Sequence, residues 1–248
     1  MNPSATFLFH GSCNDLLPRS RRNRDIKLPL TGRPAVKDAL ESLGVPHTEV
    51  DIILINGIPV DFRAKAANGD SIEVYPPEKS PERQLPLHLH RIPEYPRFIC
   101  DVHCGRLARY LRMLGFDTLY RNDYTDARIA STASEDNRIV LTRDVGLLKR
   151  AEIVCGYWLR STNSIAQVDE VIRRYRLQDK VRPFVRCMRC NGMLVPVDKQ
   201  SIISELKPQT RRYYDRFTRC SSCKAIYWEG SHVEQMRRIA DWGLRNAD

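Results

Sequence analysis

The chain has 248 residues, of which 42% are hydrophobic and 28% charged. That is the mix of a soluble globular protein and excludes a wholly disordered one. The length is comfortable for two domains. No stretch approaches 18 consecutive apolar residues, so no membrane span is expected. The opening segment, Met1 to His10, lacks the basic flank and long apolar run of a secretory signal. The expectation is therefore a cytoplasmic, reducing setting. There the 8 cysteines read as thiols or metal ligands before they read as disulfides.

Net charge is +10, and its distribution is uneven. Residues 1–96 hold 12 basic and 12 acidic side chains, whereas residues 97–248 hold 28 and 18. The whole excess lies in the later part. A basic surface there favours a phosphate-rich partner such as nucleic acid, the alternative being a solvated basic face with no partner.

The first part alternates short strand and helix signals. Thr6 to His10 predicts a strand, Ser20 to Arg24 a polar hairpin tip, and Asp25 to Leu30 a second strand. Val36, Ala39, Leu40 and Leu43 recur at helical spacing, and Gly44 ends that helix. Asp51 to Asn56 predicts a strand followed by a turn at Gly57. Asn68-Gly-Asp70 predicts a turn before the strand Ser71 to Tyr75. Strand, strand, helix, strand, strand is a β-grasp order, assigned to residues 1–77. Arg19, Arg21, Arg22 and Arg24 are expected to form a solvated loop.

Ile55-Asn-Gly-Ile-Pro-Val-Asp61 and Asn68-Gly-Asp-Ser-Ile-Glu-Val74 make this stretch resemble the ubiquitin-like sulfur-carrier β-grasp family. A carrier needs a terminal Gly-Gly carboxylate. Here the fold runs into Tyr75-Pro-Pro77 and the chain ends at Asn246-Ala-Asp248, so a docking or scaffolding role is expected instead. A protein or the ribosome is the kind of partner such a domain would engage. Residues 76–96 hold six prolines, which forbids a regular helix or central strand. Residues 78–96 are read as an extended linker.

From residue 97 the pattern becomes strand–helix–strand. Strands are predicted at Arg97 to Asp101, Thr118 to Arg121, Arg138 to Thr142 and Gly156 to Arg160. Helices are predicted at Gly105 to Leu114, Ala127 to about Asp136 and Val145 to Ala151, with a last one carrying Ile165, Val168, Ile172 and Tyr175. Such a pattern requires a mainly parallel sheet with helices on its faces. Residues 97–180 form this α/β core.

In a parallel α/β sheet, residues placed where strands hand over to helices share one edge. Asp101 closes the first strand and Asp144 follows the third. Asp126 falls at the N-cap of the helix after the second, with Asp123 in the same loop. Each acid has a local alternative: a cap for Asp126 and Asp144, a turn for Asp123. Gathered on one edge they would repel unless a cation filled the gap, and hard divalent ions such as Mg²⁺ or Mn²⁺ suit oxygen donors. Beside them, Leu107, Leu111 and Leu114 share one helix face, while Arg106, Arg109 and Arg112 step along the other. Arg106, Arg109 and Arg143 are candidate phosphate ligands and His103 a substrate contact. Arg112 is expected to be solvated, and Cys100 and Cys104 to pack.

Asp101-Val-His-Cys-Gly-Arg-Leu-Ala-Arg-Tyr-Leu-Arg-Met-Leu-Gly-Phe-Asp117, then Asn122-Asp123 and Asp126, then Arg138-Ile-Val-Leu-Thr-Arg-Asp144, resembles the PIN-like ribonuclease family named after the carboxy-terminal domain of the Mut-seven exonuclease. The resemblance runs from residue 97 to about 240, and fusion to an N-terminal β-grasp domain is an arrangement known for that family. It implies metal-dependent RNA cleavage using acids at Asp101, Asp126 (or Asp123) and Asp144. PIN-like sites often carry a fourth acid after the next strand. Leu159-Arg-Ser-Thr-Asn-Ser164 offers only Asn163 there, as a possible substrate contact.

Cys187-Met-Arg-Cys190 and Cys220-Ser-Ser-Cys223 are two Cys-x-x-Cys pairs, the spacing of a structural tetrahedral zinc site. Residues 181–248 are read as a zinc ribbon that folds with its metal. Between the pairs, Lys207 to Arg219 interleaves basic and aromatic residues, and Arg211 and Arg212 are candidate RNA contacts. Tyr213, Phe217, Tyr227 and Trp228 are expected to pack, and Val233 to Leu244 to form a helix. Taken together, these readings predict a Mg/Mn-dependent ribonuclease with a structural zinc; the alternative is a non-catalytic RNA- or ribosome-binding adaptor that keeps the nuclease fold.

Overall fold

The computed structural model describes residues 2–79, 88–90 and 93–228. Most of the proline-rich linker and the helix expected at Val233 to Leu244 lie outside the described residues. In chain order the elements are β1 (Ser4–Phe9), β2 (Ile26–Pro29), α1 (Val36–Ser42), β3 (Ile52–Ile55), β4 (Ile58–Val60) and β5 (Ser71–Tyr75). There follow β6 (Phe98–Cys100), α2 (Gly105–Met113), β7 (Thr118–Leu119), α3 (Asp126–Glu135), β8 (Ile139–Thr142), α4 (Val145–Leu148), β9 (Gly156–Trp158) and α5 (Ser164–Arg174). The chain closes with β10 (Leu194–Val197), α6 (Pro208–Tyr213), β11 (Phe217–Cys220) and β12 (Ile226–Trp228). It divides into two compact units. The first contains residues 1–93, 130–136 and 142–158, the second residues 94–129, 137–141 and 159–248.

In the first unit, strands lie in the order β2-β1-β5-β3-β4. β1 is parallel to β5, with Phe7 opposite Ile72, and the other neighbours are antiparallel. This is the β-grasp arrangement, with β4 as a strand that the periodicity did not announce. Alternate residues Ala5, Phe7 and Phe9 of β1 point inward and meet Val36, Ala39 and Leu40 of α1 in one core. Burying each such large apolar side chain contributes about 1.5–3 kcal/mol. The expected hairpin tip is instead a longer connection with two 3-10 turns, Gly11–Leu16 and Arg19–Arg21. Buried Asn14 shapes it, donating to the Phe9 carbonyl at 2.7 Å and accepting from the Asn23 N–H at 2.7 Å. Arg22 reaches back to the carbonyls of Leu17 and Asp15, so one member of the arginine run is engaged by the loop.

The same unit joins the β-grasp fold to the segment 142–158. Lys149 Nζ donates to the Glu41 carbonyl at 2.7 Å. Buried His47 has Glu41 Oε1 2.6 Å from Nδ1 and the Ile153 carbonyl 2.8 Å from Nε2. The Trp158 N–H donates to Oε1 of Glu49, a carboxylate with 0% exposure. A buried carboxylate is tolerable only when it is hydrogen-bonded, and the backbone of β9 supplies a donor. The β-grasp domain thus docks on a segment of its own chain.

In the second unit, β6 lies between β7 and β8 and is parallel to both, with Phe98 opposite Thr118 and Ile139. Its three residues are wholly buried, as a strand covered on both faces should be. Leu107, Leu111 and Leu114 of the α2 segment are buried, as their spacing predicts, and α2 packs on α5 through the stripe Val168, Val171 and Ile172. Ile165, at the start of that stripe, is exposed instead. α2 ends at Gly115, which has φ +98°; a Cβ there would lie 2.2 Å from the Arg182 carbonyl oxygen. Only glycine satisfies both demands. β10, β11 and β12 form a separate antiparallel three-stranded sheet.

Candidate functional site

Asp101 stands immediately beyond β6 and is buried. Its backbone N–H donates to the Leu141 carbonyl at 3.1 Å, which extends the pairing of β6 with β8 by one residue. Its side chain caps the 3-10 turn Val102–Cys104, accepting from the His103 N–H at 3.3 Å. Asp144 is exposed and caps α4, accepting from the Gly146 N–H at 2.7 Å. Asp126 is also exposed, but it is the first residue of α3 and not its N-cap. Thr125 takes that place, its Oγ1 accepting from the Arg128 N–H at 3.2 Å. Asp123 is forked by Arg121 through two 2.8 Å bonds, and that ion pair holds its carboxyl below the usual carboxylate range.

Asn163 caps α5, its Oδ1 accepting from the N–H groups of Ile165 and Ala166. Arg143 is exposed, and its carbonyl accepts from Trp158 Nε1 at 3.1 Å. Arg211 donates to the Ile203 carbonyl, and the Arg212 guanidinium lies 5.5 Å from the Tyr213 ring. Tyr213 itself is 66% exposed, contrary to the expectation that it packs. Phe217 is buried as expected, whereas Trp228 keeps ring contacts with Phe217 and Tyr214 but is 36% exposed.

An open groove of about 880 Å³ runs along α2 from His103. Arg106, Arg109 and Arg112 line one side, and Met188 and Arg189 of the first cysteine turn line another. Tyr120 closes it between them, stacked so tightly on Gly105 that a Cβ there would lie 2.7 Å from its ring. Among the described residues the lining contains no acidic side chain. His103, Arg106, Arg109 and Arg189 are exposed, and none of their side chains has an acidic partner among the described residues. A groove lined by one sign of charge concentrates anions.

The four cysteines converge, with all ligand atoms within 4.8 Å of one another. The Cys187–Cys223 and Cys190–Cys220 sulfurs are 3.5 and 3.4 Å apart, too far for a disulfide of about 2.05 Å. They approach the roughly 3.8 Å edge of a tetrahedron with 2.3 Å metal–sulfur bonds. Each pair sits on the same turn. Asn191 N–H donates to the Cys187 carbonyl and Lys224 N–H to that of Cys220, and both donors have φ near the left-handed region, +69° and +62°. Burial and the neighbouring sulfurs push the Cys190 thiol up to about 12. Cys220 is drawn down to about 7 against its burial by the N–H groups of Cys223 and Ser222. Thiols this close do not all ionise unless a cation sits among them, and the donor set fits a tetrahedral thiophilic ion.

Two features were not foreseen. Arg112, expected in solvent, is 3% exposed. Its Nε donates to the Thr118 carbonyl at 2.8 Å, and its Nη1 to the carbonyls of Met188 and Arg189 at 3.2 and 3.1 Å. Asn191 links the same turn to the sheet, accepting from the Thr118 N–H and donating to Asp117. Burial raises the Asp117 pKa, but bonds from Arg138 and Asn191 and the charges of Arg138 and Arg186 win, holding it below the usual range. The sequence signal for Arg112 is its position beside buried Ala108 and Leu111, at the border of the apolar stripe.

A mixed α/β protein with a parallel sheet, a basic groove, a four-cysteine centre and an N-terminal β-grasp domain is the class these features define. Residues 96–240 match the family model of the Mut7-C RNAse domain, and residues 2–82 match that of the Mut7-C ubiquitin domain. The chain belongs to the Mut7-C RNAse domain family, with the ubiquitin-like domain in front of it. RNA is accordingly its substrate or partner at the level of the family. No curated protein and no solved structure matches the chain.

Proposed function

We propose that this protein is a cytoplasmic, divalent-metal-dependent ribonuclease with a PIN-like active site at Asp101, Asp126 and Asp144, and with a structural zinc in the cysteine centre. One observation carries the reading. β6 and β8 are parallel neighbours with Cys100 opposite Leu141. Asp101 follows the end of β6 by one residue and Asp144 the end of β8 by two. Strand ends of this kind build the sites of open α/β sheets.

In this reading Asp101, Asp126 and Asp144 would hold Mg²⁺ or Mn²⁺, whose oxygen preference suits carboxylates. When bound, such an ion lowers the pKa of water and neutralises charge developing on the phosphoryl group. The side chains supply the rest. Asp101, fixed by the turn it caps, presents a carboxylate of set orientation. Arg106 and Arg143 bind non-bridging phosphate oxygens as charge-assisted donors. Asp123 is paired with Arg121, so this reading takes Asp126, at the start of α3, as the third acid, with Asp123 as its alternative.

A second reading, a non-catalytic adaptor that binds RNA or the ribosome, draws on Asn163. The residue at the place of a fourth acid is amide, not acid, and is engaged in capping α5. Purified full-length protein incubated with end-labelled RNA, with and without Mn²⁺, separates the two. Metal-dependent products that vanish in Asp101→Asn and Asp144→Asn support the nuclease. Tight binding without products under any metal supports the adaptor.

A further inference from the structure

The groove beside α2 has two walls of different origin. One is the exposed edge of α2, carrying Arg106 and Arg109, and the other is the first cysteine turn, carrying Arg189. We infer that this groove is the path of a single RNA strand leaving the hydrolytic site, and that Arg112 holds the cysteine turn in place as its second wall. The inference rests on the ribonuclease reading and adds to it a binding path and a positioning residue.

Size favours one strand over a duplex. At about 880 Å³ the groove falls within the range of about 300–1,000 Å³ typical of small-ligand pockets. That volume admits a short stretch of one strand. Its chemistry favours a phosphodiester backbone. Arg106 and Arg109 lie three residues apart on α2, so their side chains neighbour one another on one helix face. Arg189 faces them from the turn, and His103 stands at the end nearest Asp101, whose carboxylate accepts the His103 N–H. Among the described residues no carboxylate lines the groove to compete with phosphate for these cations. Tyr120 and Met188 add an apolar surface on which a base can rest.

Arg112 does not act as a phosphate ligand here, because its guanidinium is committed. It gives one nitrogen to the end of β7 and another to the two carbonyls preceding Cys190. A planar fork can bridge helix, strand and turn in this way, whereas a lysine ammonium cannot. Losing the bridge frees the turn, and Arg189 with it, from α2.

The test uses full-length, zinc-loaded protein carrying Asp101→Asn to suppress cleavage, and a fluorescent single-stranded oligouridylate read by anisotropy across a salt series. Arg106→Ala, Arg109→Ala and Arg189→Ala should each weaken binding about two- to fivefold. Each should also reduce the slope of log affinity against log salt by about 0.7. Arg21→Ala, in the other arginine run, should change neither, and a duplex of the same length should bind no better in the parent than in the variants. Arg112→Lys should weaken binding as Arg189→Ala does, and should add nothing in an Arg189→Ala background. A merely structural role would add its loss in both backgrounds. If the parent binds RNA but the groove variants bind equally well, or Arg112→Lys is additive, the inference is overturned while the nuclease reading stands. Absence of any RNA binding by the parent removes both.

Discussion

Asn191 Nδ2 donates to Asp117 Oδ1 at 2.9 Å, tying the first cysteine turn to the residue that leads into β7. The bond joins residues 74 positions apart. It places the four-cysteine cluster against the sheet rather than on a loose tether. Asn191 is buried, and its left-handed backbone at φ +69° is one that asparagine tolerates better than most residues.

Asn191→Ala should therefore lose on two counts. It leaves the Thr118 N–H without its side-chain acceptor and removes a donor to Asp117, a cost of about 2–4 kcal/mol. Asn191→Gly loses the same bonds but relieves the backbone, and should be more stable than the alanine variant by about 1 kcal/mol. Urea unfolding of the zinc-loaded protein measures both. Equal stability of the two variants would show that the backbone conformation carries no penalty.

Asp117 makes the same network sensitive to acid. Its carboxyl is held below the ordinary value in the fold. Its contribution to stability is therefore complete above the unfolded pKa of about 3.9 and is lost as pH falls through the lower folded value. Asp117→Asn should cost stability at pH 7 and flatten the pH dependence of unfolding below about pH 4. Thermal melts between pH 3 and pH 7 show it as two curves that converge at the acid end.

Gly115→Ala is expected to be among the most damaging single changes. The new methyl would lie 2.2 Å from a backbone oxygen that cannot move aside, at a φ of +98°. A loss of about 3 kcal/mol or more follows, read as a lowered urea midpoint. Gly69→Ala, also at positive φ but with open space around it, should cost much less.

Removing the zinc proposed for the cysteine cluster should unfold the last domain selectively. Structural zinc sites carry about 10–16 kcal/mol of binding energy coupled to folding. Cys190→Ser should abolish stoichiometric zinc binding, measured by elemental analysis, and should expose buried Phe217 and release Trp228 from its ring contacts, read as a red shift of tryptophan emission. The β-grasp core, whose Phe7, Phe9 and Leu40 are remote in sequence from the cysteines, should keep its protection from hydrogen exchange.

Much of this organisation was legible in residue order alone. Strand alternation in Ala5, Phe7 and Phe9 and the helical recurrence of Val36, Ala39 and Leu40 point to the β-grasp core. The paired Cys-x-x-Cys spacings point to the metal centre. What was not legible depends on acceptors that arrive from far along the chain. Arg106, Arg109 and Arg112 look equivalent by spacing, yet Arg112 meets backbone carbonyls 76 and 77 residues later and is buried, while the other two stay exposed. Asp126 and Thr125 are both good capping residues, and the turn geometry chooses Thr125. Tyr213 and Phe217 are four apart, but α6 ends at Tyr213 and β11 begins at Phe217, so helical spacing no longer relates them.

The proposed nuclease requires Asp101, Asp126 and Asp144 to share a divalent ion. Electron paramagnetic resonance of zinc-loaded protein titrated with Mn²⁺ tests it without reference to turnover. Mn²⁺ should bind to the parent and to Asp123→Asn, and should be lost in Asp101→Asn and in Asp144→Asn with unchanged melting. Mn²⁺ binding that survives both substitutions, or that never occurs, would contradict it.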